Sequence, residues 1–206
     1  MAVLGVAGAA WGLVADRIGA RWPAHDDGSV RAVDWRTVVV AAVGAVGFGA
    51  LGARFAGSGL GVLVVFTAAL VLLLATDLDQ RLLPDVITLP LVPFAAAVDL
   101  LGLNPLVAPD QIGLAIVTAI AIPVVLLVLS VPFGADAIGI GDIKLLVSVG
   151  LLLGPAPAVT GMVAGALLSG VVALVLLASR RVTLRTYIPF GPFLIIGALW
   201  GILRPA

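Results

Sequence analysis

The stretch GLGVLVVFTAALVLLLATDLDQRLLPD, residues 59–85, decides how the rest of the chain is read. Eighteen uncharged, mostly apolar residues (59–76) run straight into Asp77, Asp79, Arg81 and Asp85. An apolar run of that length is long enough to cross a bilayer as a helix. A carboxylate where such a run ends is costly, and so points to function. Asp142 occupies a matching place in a second stretch, GIGDIK (139–144), where a polar loop meets another apolar run.

Composition extends the membrane reading to the whole chain. Of 206 residues, 62% are hydrophobic and 11% charged, and the mean hydropathy is +1.28. Soluble domains are roughly 45–50% apolar and about 25% charged. The length allows roughly eight spans of about 20 residues and no additional soluble domain, so residues 1–206 read as one integral membrane domain. Cysteine is absent, which excludes disulfides and thiolate zinc sites, and His25 alone cannot build a histidine metal site. Zero net charge gives no footprint for nucleic acid. Glutamate is also absent, so acid chemistry falls to aspartate, and Lys144 is the only lysine.

The apolar runs predict an all-α polytopic bundle with spans near 1–15, 37–53, 59–76, 86–103, 111–133, 145–157, 158–179 and 188–203. Helices follow because lipid offers no partner to free backbone groups. The first run lacks a preceding basic region and is followed by Arg17 and Arg21, as expected of an anchor with an outward N-terminus. Alternation then places the loops 16–36, 77–85, 134–144 and 180–187 on the cytoplasmic side. Those loops hold nine basic residues: Arg17, Arg21, Arg31, Arg36, Arg81, Lys144, Arg180, Arg181 and Arg185. The other side keeps two, Arg54 and Arg204. That bias satisfies the positive-inside rule. Made without reference to the acids, it puts Asp77 and Asp142 on one face.

Two carboxylates that meet cannot both ionise freely, so one serves as acid and the other as base. The ionised member can activate water while the protonated one polarises a peptide carbonyl. Glycines beside Asp142 would let a substrate strand approach. Bland alternatives stand beside each assignment. Asp142 and Asp85 are placed to cap helices, Asp79 to be a solvated loop charge, and Arg81 and Lys144 to set orientation. Asp99 and Asp110 fall near the outer side, Asp136 in a loop, and His25 in solvent.

Laid out this way, the chain resembles the type IV prepilin peptidases, membrane aspartic proteases with a Gly-x-Gly-Asp motif. Three segments carry the likeness. They are Asp77-Leu-Asp-Gln-Arg-Leu-Leu-Pro-Asp85, Gly139-Ile-Gly-Asp-Ile-Lys-Leu-Leu146 and Ile188-Pro-Phe-Gly-Pro-Phe193. The resemblance implies a peptidase core over 77–193, with Asp77 and Asp142 catalytic. Asp79, Asp85, Gly139, Gly141 and Lys144 become auxiliary or substrate-binding. It further implies cleavage of a short basic leader from prepilins or pseudopilins at the cytoplasmic face of the inner membrane, among lipid and without a cofactor or metal. The cysteine module of larger members, which also methylate with S-adenosylmethionine, is missing from the 16–36 loop. The rival function is transport, with buried aspartates as proton or cation sites. Acid clusters at one face, rather than midway across, argue against it.

Overall fold

The structure, a computed structural model, describes residues 1–25, 28–131, 139–180 and 190–204. Within them the chain is an all-α bundle. Its helices are α1 (Ala2–Gly19), α2 (Trp35–Arg54), α3 (Gly57–Gln80), α4 (Asp85–Leu100), α5 (Ile112–Ser130), α6 (Ile140–Leu153), α7 (Pro155–Ala178) and α8 (Gly191–Leu203). A 3-10 turn, Pro109–Gln111, leads into α5. Five helices are long and apolar enough to cross a membrane: α1, α2, α3, α5 with its leading turn, and α7. The other three, α4, α6 and α8, have 16, 14 and 13 residues.

α3 is the axis of the bundle. Phe66, Leu63, Leu70, Leu73 and Leu74 are fully buried along it, and α1, α2, α4 and α8 pack around it. Lipid supplies no hydrophobic drive between spans, so close approach at small residues must hold them together. Gly8, Gly12 and Gly44 let α1 and α2 touch backbone to backbone, and Gly161, Gly165 and Gly197 do the same for α7 and α8.

Hydrogen bonds identify which ends lie together. Arg54, closing α2, donates to the Leu203 carbonyl that closes α8. Asn104, just beyond α4, donates to Leu152 O at the end of α6 (2.7 Å) and to the buried Asp99 (2.6 Å). The C-termini of α2, α4, α6 and α8 therefore share one end of the bundle. Asp77, near the C-terminus of α3, and Asp142, near the N-terminus of α6, share the other.

Several expected boundaries are corrected. The third span does not stop at 76: α3 continues to Gln80, so Asp77 and Asp79 are helical rather than in a loop. Polar residues can extend a helix past the lipid edge, and the stop comes only where Arg81 turns left-handed (φ 57°) ahead of Pro84. The first span likewise runs to Gly19, which brings Asp16 and Arg17 out of the expected 16–36 loop and into α1. The sixth and seventh spans meet at Gly154 (φ 67°), with Pro155 opening α7. That is the expected placing of glycine past one helix and proline at the start of the next. Asp136, Arg181, Arg185 and Ile188-Pro189 lie outside the described residues.

Candidate active site

Asp77 is held one turn before the end of α3, where its carbonyl accepts from Arg81 N–H (2.9 Å). Asp142 is held in the first turn of α6. The helix cap is Gly139, not Asp142 as the bland alternative had it. Instead the Asp142 carboxylate reaches back to accept the Gly139 N–H, half of the reciprocal arrangement common at helix starts. That bond orients the carboxylate. The two acids are 4% and 7% exposed, and both line one cavity of about 200 Å³.

Arg81, Leu82 and Leu83 form one wall of this cavity, Gly139–Gly141 another, and Phe190 and Gly191 a third. Asp77 Oδ2 is buried without a hydrogen-bond partner among the described residues. Buried polar atoms normally have one; here the oxygen packs against Gly191, which also lines the cavity. Two larger surface grooves, of about 480 and 500 Å³, are lined by no carboxylate among the described residues.

The two glycines that matter most act by close approach. A Cβ on Gly191 would lie 2.6 Å from Asp77 Oδ2, so only glycine lets α8 begin against that carboxylate. A Cβ on Gly141 would lie 2.8 Å from Leu83 Cβ. Gly141 thus seats α6 on the α3–α4 connection, while Gly139 has nothing nearer than the Asp142 carboxylate at 3.4 Å.

The other sequence candidates are not in the cavity. Asp85 follows Pro84, which is the α4 cap, so Asp85 is not the cap residue. It pairs with Lys144 Nζ (2.7 Å), and this half-exposed link joins α4 to α6. Asp79 is no solvated loop charge. Its side chain is 2% exposed and faces Arg31 Nε (2.6 Å), Arg36 Nη1 (2.9 Å) and His25 Nε2 (3.0 Å). His25 is correspondingly half-buried, contrary to its expected place in solvent.

Sequence reasoning missed the roles of Arg81 and Gly191 in the cavity and the whole of the cluster around Asp79. The only signal for Gly191 was its place in the Pro-Phe-Gly-Pro-Phe element.

Comparison with known proteins gives the chain a family. The profile of the Type IV leader peptidase family matches residues 64–178, which include both acids. The chain is 33% identical over 145 residues to the prepilin leader peptidase/N-methyltransferase of Pseudomonas putida, covering 68% of this chain and 50% of that one. It is 33% identical over 184 residues to the Burkholderia pseudomallei (strain 1026b) protein of the same name, covering 87% and 53%. With the Aeromonas salmonicida (strain A449) protein, also so named, identity is 33% over 173 residues, covering 80% and 54%. The chain thus spans about half the length of these curated relatives. No solved structure matches it. On the family profile and these relatives, the chain belongs to the Type IV leader peptidase family.

Proposed function

We propose that the protein is a membrane aspartic endopeptidase that removes the short basic leader of a prepilin or pseudopilin at the cytoplasmic face. The observation that carries this reading is the meeting of Asp77 and Asp142, from helices far apart in sequence, in one small cavity. The reaction follows from the pair. The ionised carboxylate takes a proton from water as the water oxygen attacks the scissile carbonyl carbon, and the protonated carboxyl gives its proton to the carbonyl oxygen. Collapse of the resulting gem-diol breaks the C–N bond. The nitrogen leaves with the proton taken from water, and a gem-diol proton returns to the second carboxyl.

No cofactor enters this scheme. The chain has no cysteine nucleophile, and its one histidine is held at Asp79. Methyl transfer from S-adenosylmethionine forms no part of the proposal. Transport is disfavoured because both acids sit at one end of the bundle, whereas transporter sites lie near the midplane.

The direct test is incubation of the purified protein with a candidate prepilin, followed by gel detection of the shortened product. Cleavage is expected to survive EDTA and thiol reagents. Loss on chelation with recovery on adding zinc would overturn the aspartic scheme. Sidedness is tested separately, in a chain that offers no background thiol. Leu82→Cys, beside the cavity and exposed, should react with an impermeant maleimide only from the cytoplasm, and Leu101→Cys, at the other end, only from outside. The reverse pattern would put the site on the wrong side for a cytoplasmic leader.

A further inference from the structure

Asp79 stands two residues beyond Asp77, on a different face of the same helix. Its Oδ1 faces Arg31 Nε at 2.6 Å and accepts from Arg36 Nη1 at 2.9 Å, and its Oδ2 faces His25 Nε2 at 3.0 Å. Arg31 fans outward from there, pairing with Asp16 and, at 2.5 Å, with Asp34. Asp16 is itself buried in the last turns of α1, where it also pairs with Arg17 and accepts from Thr37 Oγ1 at 2.7 Å. Three aspartates and three arginines thus form one balanced network. Gln80 adds a bond to the Pro23 carbonyl (2.5 Å).

All of these partners except Asp79 and Gln80 come from residues 16–37, ahead of residue 64 where the family profile begins. They lie on the end of α1, the start of α2 and the connection between them. Pro23, His25 and Arg31 of that connection lie against the last turn of α3, the turn that carries Asp77. A helix end is otherwise the first part of a helix to loosen, and past Gln80 the chain leaves the helix through left-handed Arg81.

We propose that this network is a clasp. It fixes the last turn of α3 so that Asp77 stays in register with Asp142, which makes Asp79 a positioning residue and Arg31 its principal partner. The inference rests on the peptidase reading. Its cost to the fold is that Asp16, Asp79 and most of Arg31 must be buried together. Its benefit is the placement of one carboxylate, for which a displacement of about 1 Å can cost on the order of 10²-fold in rate.

The test replaces the clasp with a covalent one. A Cβ on Gly19 would lie 3.2 Å from Ala75 Cβ, close to the ~3.5–4.5 Å of a disulfide. Gly19→Cys with Ala75→Cys should therefore bridge α1 to α3 on oxidation, in a chain with no other cysteine. Asp79→Asn is expected to lower kcat for prepilin cleavage about tenfold or more with KM changed by less than about twofold. In the oxidised double-cysteine background, kcat of Asp79→Asn should return to within about threefold of the bridged parent, and dithiothreitol should abolish the rescue. Arg31→Lys, which keeps the charge but cannot hold three acids at once, should behave the same way and serves if Asp79→Asn does not accumulate. A network that merely stabilises the fold would lower the melting temperature and leave kcat of the folded enzyme unchanged, which would overturn the proposal. So would a loss that the bridge does not restore. Failure of the unmutated protein to cleave any prepilin would instead overturn the peptidase reading.

Discussion

Asp77→Ala and Asp142→Ala proteins are expected to insert at the level of the unmutated chain and to leave prepilin uncut, with kcat reduced by about 10³-fold or more. Each acid has a separate part, since the base must take a proton from water while the acid gives one to the carbonyl. Neither can do both at once. Asp77→Asn and Asp142→Asn should fail equally, because an amide keeps the shape but cannot cycle a proton. The fold should tolerate these changes. Asp77 makes no side-chain hydrogen bond among the described residues, and Asp142 accepts only the Gly139 N–H, which lies at a helix start. Near-normal processing by either alanine variant, at matched membrane abundance, would remove that residue from the reaction.

The second large effect is expected from Gly191→Ala, a substitution with no charge change. The new methyl carbon would sit 2.6 Å from Asp77 Oδ2 and 2.8 Å from its Cγ, inside van der Waals contact. Either α8 retreats or the Asp77 carboxyl swings off its position. A loss of about 10²-fold in kcat is expected from a shift of that size. Helix propensity cannot be blamed, because alanine is the better helix former. Gly139→Ala supplies the contrast. Its φ of −68° suits alanine, and its methyl would meet only Asp142 Oδ2 at an ordinary 3.4 Å. Gly139→Ala should therefore keep kcat within about tenfold of the parent. Equal losses in the two variants would mean that the glycines matter for something other than room around Asp77.

What the sequence disclosed and what it concealed divide along the range of the interactions. The eight helices were legible because uncharged apolar runs and the lipid's demand for internal hydrogen bonds leave one solution. That Asp77 and Asp142 share one end of the bundle was legible because arginine and lysine counts follow topology, not packing. The end of α3 was misplaced by one turn: Asp77, Asp79 and Gln80 look like loop residues, yet a helix continues through polar residues until something turns it. That something was Arg81 in a left-handed conformation, which no local pattern announces in a non-glycine residue. The clasp was invisible for a different reason. Arg31 and Asp79 are 48 positions apart, and each alone reads as an ordinary polar-loop charge. Gly191 could be singled out by resemblance, but the oxygen it makes room for could only be seen in three dimensions.

The central claim is that Asp77 and Asp142 are one reaction centre. Single-turnover cleavage of a purified prepilin should be measured for the Asp77→Ala, Asp142→Ala and double-alanine proteins against the unmutated chain. Residues that act as a unit do not give additive losses, so the two single variants and the double variant should share the same residual rate. Losses that multiply, with the double variant slower than either single by the product of the two effects, would show two independent contributions and contradict the dyad.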